Sequence, residues 1–381
     1  MPYFDNNATT QIAPEVLEAM RPFLEGDYGN PSSSHELGRA SRNAVNDARE
    51  SVAALLGAQY ADEIVFTSCG TESDNWAILG ALETNPDRRD IITTAVEHEA
   101  VRKLCEKLSR QGFRVTFLEV DEEGALDLEG LRRSLSEETA VVSVMLANNE
   151  TGVLFPVEEI AGIVKEHSSA LMHVDGVNAA GKVPIDLCDC RVDLFSISAH
   201  KFYGPKGIGA LYIRRGVELP QFLIGGGQEN GRRAGTEAVH QIAGIGAASD
   251  IVKELSEMER VRSLRDRLEN EILDGIPNSR LNGTHNAAKR LPNTSNISFE
   301  NCNGEMILAM LNELRIYVST GSACNSESHT ASPVLQAMNI PYSHAMGAIR
   351  FSLGRFNTAE EVEFLLEKLP AIVGKVNSMA A

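Results

Sequence analysis

Six features of this chain could do chemistry together if the fold gathered them. Ser196–Gly209 reads SISAHKFYGPKGIG, which puts Lys201 at the end of a strand-like run and beside a glycine-rich turn. A lysine desolvated there, near other positive charge, loses its proton readily and can attack a carbonyl. Asp175 closes the apolar run Leu171–Val174 about one strand–helix unit earlier, where a buried carboxylate could face a positively charged ring nitrogen. Cys69-Gly70-Thr71-Glu72-Ser73 follows EIVFTS and opens a helix, whose unpaired N–H groups suit a phosphate. Ser319–Glu327 reads STGSACNSE and places Cys324 among small polar residues, a setting for a reactive thiol. His98 follows the strand-like DIITTAV, and Arg350 lies in IRFS, where a guanidinium could clasp a carboxylate with two hydrogen bonds. Each also has an ordinary reading alone: a surface lysine, a loop aspartate, a plain helix cap, a free cysteine, a structural histidine, a salt bridge.

The elements around these residues alternate. Strand-like runs occur at 63–68, 90–96, 113–120, 140–146, 171–174, 194–198 and 209–214, with helical spacing at 71–82, 98–111 and 156–167. That alternation predicts a largely parallel sheet covered by helices, with functional residues at strand ends. After Thr236 a charged helical stretch runs to about Ile276. Strand-like runs at 293–299 and 348–353 follow, with helices at 305–314 and 359–369, which predicts a smaller α+β unit.

Composition narrows the class. The chain has 381 residues, 43% of them hydrophobic and 23% charged, as in globular enzymes of one large and one small domain. Its formal charge of −18 argues against nucleic acid or anionic lipid as a partner. No secretory signal and no apolar run of membrane-spanning length is visible, so the cytoplasm is the expected compartment. Six scattered cysteines predict no disulfide framework, and the Cys188/Cys190 pair has no second pair at zinc spacing.

The motifs together carry a resemblance over essentially the whole chain. They include Asp5-Asn6-Asn7-Ala8-Thr9-Thr10, Ala147-Asn148-Asn149-Glu150-Thr151-Gly152, Ser198-Ala199-His200-Lys201, Arg233-Ala234-Gly235-Thr236, Ser322-Ala323-Cys324 and Ile349-Arg350-Phe351-Ser352. In these the chain resembles the NifS/IscS-type cysteine desulfurases, and NifS most closely, within the class-V aminotransferase family of fold-type I pyridoxal-phosphate enzymes. The resemblance implies an α/β, aspartate aminotransferase-like fold. A large domain over 13–256 carries the mostly parallel sheet, and a small α+β domain is formed by 1–12 and 257–381.

It further implies conversion of L-cysteine to L-alanine, with the sulfur carried as a persulfide on Cys324. Lys201 matches the lysine that binds pyridoxal 5′-phosphate covalently, His98 the histidine stacked on its ring, and Asp175 the partner of its ring nitrogen. Gly70, Thr71, Ser198 and His200 match phosphate contacts, and Thr236 matches one delivered from the other subunit of a homodimer with shared active sites. Asn149 and Arg350 match the groups that hold the substrate carboxylate region. The expected sulfur acceptor is a NifU/IscU-like scaffold in iron–sulfur cluster assembly, with nitrogen fixation as one setting. No metal is implied in the resting enzyme beyond transient contact of Cys324 with an iron–sulfur cluster. A selenocysteine lyase, another enzyme of this fold, and a silent sulfur-relay scaffold stand as alternatives.

The chain departs from the family pattern in two places. Asp175-Gly176-Val177-Asn178 stands where the family has Asp-Ala-x-Gln, so Asn178 replaces a glutamine that contacts the cofactor's phenolic oxygen. Ala331-Ser332-Pro333-Val334-Leu335 stands where the family has Pro-Ser-His-Val-Leu, which predicts a changed anchor for the segment carrying Cys324.

Overall fold

The computed structural model describes residues 1–320 and 330–380; Cys324 lies outside them. Among the described residues, seven strands form the larger sheet: β1 (Ile64–Thr67), β2 (Asp90–Thr94), β3 (Arg114–Leu118), β4 (Thr139–Met145), β5 (Leu171–Asp175), β6 (Leu194–Ser198) and β7 (Gly209–Ile213). Their order is β1-β7-β6-β5-β4-β2-β3. β7 runs against both of its neighbours, and the other pairings are parallel. The continuous apolar run in β4 is explained by its position, since all seven of its residues are buried.

Helices cover the sheet by burying one face each. The helix Glu99–Arg110 buries Val101, Leu104, Cys105 and Leu108, a 3-1-3 spacing that turns its charged side outward. Its apolar seat pushes the Cys105 thiol up to about 12, which leaves that cysteine inert. The helix Gly70–Thr84 is buried on nearly every side, Asp74 and Trp76 included.

A second sheet holds β8 (Ser279–Leu281), β9 (Thr294–Phe299) and β10 (Ala348–Ser352), all antiparallel in the order β10-β9-β8. Its core joins Phe4, Ile297, Phe299 and Phe351 to Leu365 and Leu369. The chain's first residues lie on this sheet, with bridges from Tyr3 to Tyr317 and from Asp5 to Ser352. Asn7 then links the two sheets. Its amide nitrogen donates to Asn149 O (3.2 Å) and to Thr294 Oγ1 (2.9 Å).

Three features differ from the sequence expectation. The stretch after Thr236 is two helices, Val239–Val252 and Met258–Gly275, because Leu255 takes a left-handed φ of 52° between them. β8 is only three residues long and carries no periodic signal. The last helix runs from Ala359 to Ala380 through Pro370, where a stop before the proline was expected. Burial of Ile372, Val373 and Val376 against the small-sheet core offsets the lost hydrogen bond. Among the described residues, no helix is long and apolar enough to cross a membrane.

Candidate active site

The C-terminal ends of β4, β5 and β6 open on a cavity of about 340 Å³. Its lining includes Gly70, Thr71, His98, Asn149, Asp175, Asn178, Ser198, His200, Lys201 and Arg350, so the fold brings together these sequence-predicted residues. Thr236 is not among them; it is exposed and lies outside the cavity of its own chain.

Each residue is placed by a local device. β6 ends at Ser198 and a single tight turn, Ala199–Lys201, lifts Lys201 over the strand end. Lys201 Nζ donates to Asn7 O (2.5 Å) and Ala8 O (3.0 Å). Asp175 is the last residue of β5 and accepts from Val177 N at 2.9 Å. His98 caps the helix Glu99–Arg110: its Nδ1 accepts from Ala100 N at 3.2 Å. That bond leaves the ring proton of the neutral form on Nε2. Cys69 precedes the helix Gly70–Thr84 and its side chain makes no capping bond, so the first N–H groups of the helix, at Gly70 and Thr71, are left open beside the cavity that these residues line. The extra room there depends on Gly70, since a Cβ would come within 2.5 Å of Val177 Cγ2. Ser198 Oγ is buried and has no hydrogen-bond partner. His200 Nδ1 lies 3.2 Å from Thr9 Oγ1.

Arg350 is less open than a carboxylate clasp needs. Its Nη2 pairs with Asp5 Oδ1 (2.7 Å), its Nη1 donates to Asn149 O (3.0 Å), and its buried Nε has no partner. The pairing positions the guanidinium at the cavity wall and leaves its remaining N–H groups for a ligand.

The electrostatics are dominated by burial. It raises the Asp175 carboxyl, while the nearby His98 and Lys201 pull it down; a cationic group at Asp175 would hold it ionised. Burial lowers His98, with Asp175 opposing, and lowers His200 to about 4 with help from Lys201. Two acidic residues of the lining, Asp74 and Glu97, received no role from the sequence. Burial and the charge of Asp175 raise Asp74 well above the ordinary range. Burial pushes Glu97 up to about 8, although Thr94 Oγ1 (2.7 Å) and Met145 N (3.0 Å) donate to it. Behind them His173 is fully buried and neutral, its ring nitrogens each 2.9 Å from a serine hydroxyl, Ser143 and Ser196. Only the adjacency of Glu97 to His98, and Asp74's place one turn into the phosphate-type helix start, hinted at these groups.

Glu97 gives a pH-dependent stability. Its folded value lies above the ordinary 4.5, so the folded protein keeps a proton that the unfolded chain releases. This contribution is complete below pH 4.5 and is lost as the pH climbs to about 8. Glu97→Gln retains an oxygen for Thr94 and Met145 and removes the titration. Urea unfolding of the cofactor-free variant should match the parent near pH 4.5, and the variant should gain up to about 1.4 kcal/mol per pH unit above that.

Gly176, part of the first departure from the family pattern, finds a physical reason. A Cβ at Gly176 would lie 2.0 Å from Phe195 Cε1 and Cζ, so the glycine and this buried ring belong together. Gly176→Ala should cost about 1–3 kcal/mol in thermal or urea unfolding, and much of that loss should vanish in a Phe195→Leu background. Ser332 donates to the buried Glu150 Oε2 at 2.5 Å and also caps the helix Pro333–Ala337, tying the chain after the undescribed segment to the cavity wall.

The donor set fits a flat, phosphate-bearing pyridine aldehyde. An uncapped helix start and an orphan hydroxyl suit the phosphate, a buried carboxylate suits the ring nitrogen, and an amine at a strand end suits the aldehyde. Comparison with known proteins agrees. The family model for class-V aminotransferases matches residues 2–365. The chain is 50% identical over 382 residues to a cysteine desulfurase of Trichormus azollae, covering 99% of this chain and 94% of that protein. It is 47% identical over 380 residues to the cysteine desulfurase NifS of Azotobacter vinelandii, with the same coverage. A solved NifS-like protein superposes with a TM-score of 0.91 at 40% identity, covering 98% of this chain and 99% of the other.

Proposed function

Because the chain belongs to the class-V aminotransferase family, we propose that it works as a pyridoxal-phosphate-dependent cysteine desulfurase. It converts L-cysteine to L-alanine and passes the sulfur on as a persulfide of Cys324. The observation that carries this reading is the convergence of Lys201, Asp175, His98 and the open helix start at Gly70 on one cavity.

Gly70, Thr71, Ser198 and His200 would hold the phosphate, Asp175 the ring nitrogen, His98 the ring and Lys201 the aldehyde carbon. When bound, the cofactor supplies an electron sink that stabilises negative charge at the α-carbon of an attached amino acid. Lys201 Nζ takes the α-proton, steadied by the carbonyls of Asn7 and Ala8. Arg350 and Asn149 orient the substrate carboxylate. The Cys324 thiolate bonds to the substrate Sγ, the Cβ–Sγ bond breaks, and its electron pair stays with the carbon fragment. That fragment takes up protons and leaves as alanine. His98, carrying its proton on Nε2, is placed to move one of them.

Thr236 is exposed and lies outside its own chain's cavity, which supports a homodimer in which it completes the phosphate site of a second copy. The persulfide goes to a thiol-bearing acceptor of the iron–sulfur scaffold class.

The test is product analysis of the purified protein with L-cysteine and a thiol reductant. Alanine and sulfide should form in equal amounts. Transfer of the amino group to a 2-oxo acid with no sulfide would sink the proposal.

A further inference from the structure

Lys182 has no part in the chemistry above, yet it is a fully buried lysine next to the cavity. It lies four residues after Asn178, and its Nζ is surrounded by three oxygens: Asn178 Oδ1 (2.9 Å), Asn178 O (3.0 Å) and Asn7 Oδ1 (3.3 Å). Asn7 cannot be turned over, because its other amide atom donates to the carbonyl of Asn149. A backbone carbonyl and a fixed amide oxygen therefore take two N–H bonds, and an ammonium has a third for Asn178. An ammonium only donates, so it selects the oxygen end of the Asn178 amide. The nitrogen end, Nδ2, is then left buried with no hydrogen-bond partner, on a residue that lines the cavity.

We propose that Lys182 is a positioning residue: it grips the Asn178 carbonyl and thereby presents the Asn178 NH2 to an oxyanion of the molecule bound in the cavity. This rests on the proposed cofactor, whose phenolic oxygen is an acceptor of the right kind. An unpaired buried N–H2 is costly without such an acceptor, and strongly rewarding with one. The grip also explains how the shorter asparagine serves. The side chain does not sample rotamers in search of a contact, because a cation behind it fixes its plane. Burial, with Lys201 and Arg350 nearby, lowers Lys182 well below an ordinary lysine, and the three oxygens around its Nζ are the contacts that favour the ammonium against that trend.

The experiment measures the cofactor dissociation constant of purified apoprotein by absorbance and fluorescence, with no turnover. Asn178→Asp keeps the shape, pairs with Lys182 and exchanges the donor for a repelling oxygen. It should fold as the parent does and bind the cofactor about tenfold to a hundredfold more weakly. Unchanged binding in N178D would show that an acceptor, not a donor, faces the cavity, and would overturn the assignment. Lys182→Met and Asn178→Ala, singly and together, test the coupling. If Lys182 acts through Asn178, the double variant binds no worse than N178A; losses that add in full would refute the link. Should K182M not fold, Lys182→Gln, which still donates, takes its place in the same cycle. A parent protein that binds no cofactor would defeat the functional reading itself, whereas these variants bear only on Lys182 and Asn178.

Discussion

Replacing Lys201 by alanine is expected to reduce alanine formation from L-cysteine by about a thousandfold or more. The amine is both the covalent anchor and the base that handles the α-proton, so two roles fail together. The phosphate-type donors at Gly70, Thr71 and Ser198 are untouched, and the variant should still take up cofactor without covalent attachment. Borohydride reduction followed by peptide mapping separates the alternatives. In the parent the label should sit on the peptide containing Lys201, and in the variant it should be absent. The one nearby rival is Lys182, whose amine is closed in by three oxygens and does not line the cavity. A label there would reverse the assignment.

Cys324→Ala should have an effect of similar size on alanine and sulfide release, about a thousandfold, with cofactor absorbance unchanged. A persulfide needs a thiolate that can meet the substrate sulfur and then an acceptor. Buried Cys105 and Cys302 are unsuited, both raised by burial. Cys69 is the real competitor, since it lines the cavity. The companion variant Cys69→Ser should keep most of the activity. If C324A turns over normally, or C69S is dead, the sulfur carrier is Cys69. Mass spectrometry of the parent after one exposure to L-cysteine should find the added 32 Da on the Cys324 peptide, about the mass of one sulfur atom.

The sheet was readable because its strands are apolar, short and regularly spaced, and because a parallel strand buried on both faces has little choice of residues. The same regularity put Asp175 and Lys201 at strand ends and Gly70 at a helix start. What failed to show depends on tertiary surroundings. Leu255 breaks a helix by adopting a left-handed φ without glycine or proline to announce it. Pro370 stays in a helix because the packing beyond it outweighs the local penalty. Asp74 and Glu97 received no role from the sequence, yet a helix buried on nearly all sides and a strand-end turn sink them in the cavity wall. Arg350 was legible as a cation on a strand, but its engagement by Asp5, 345 residues away, was not. Thr236 could be recognised only through the family motif, since nothing in a single chain draws it to the site.

The contacts of the N-terminal residues carry a consequence for biosynthesis. Asn7 and Ala8 are translated long before their partners, which include Lys201, Thr294 and the neighbourhood of β10. The large sheet can assemble while translation continues, but the amine's carbonyl seat cannot close until the chain beyond residue 352 has emerged. Nascent polypeptide is thereby kept from completing this seat before β9 and β10 are made, so loading of the site becomes an event that follows synthesis of the small sheet.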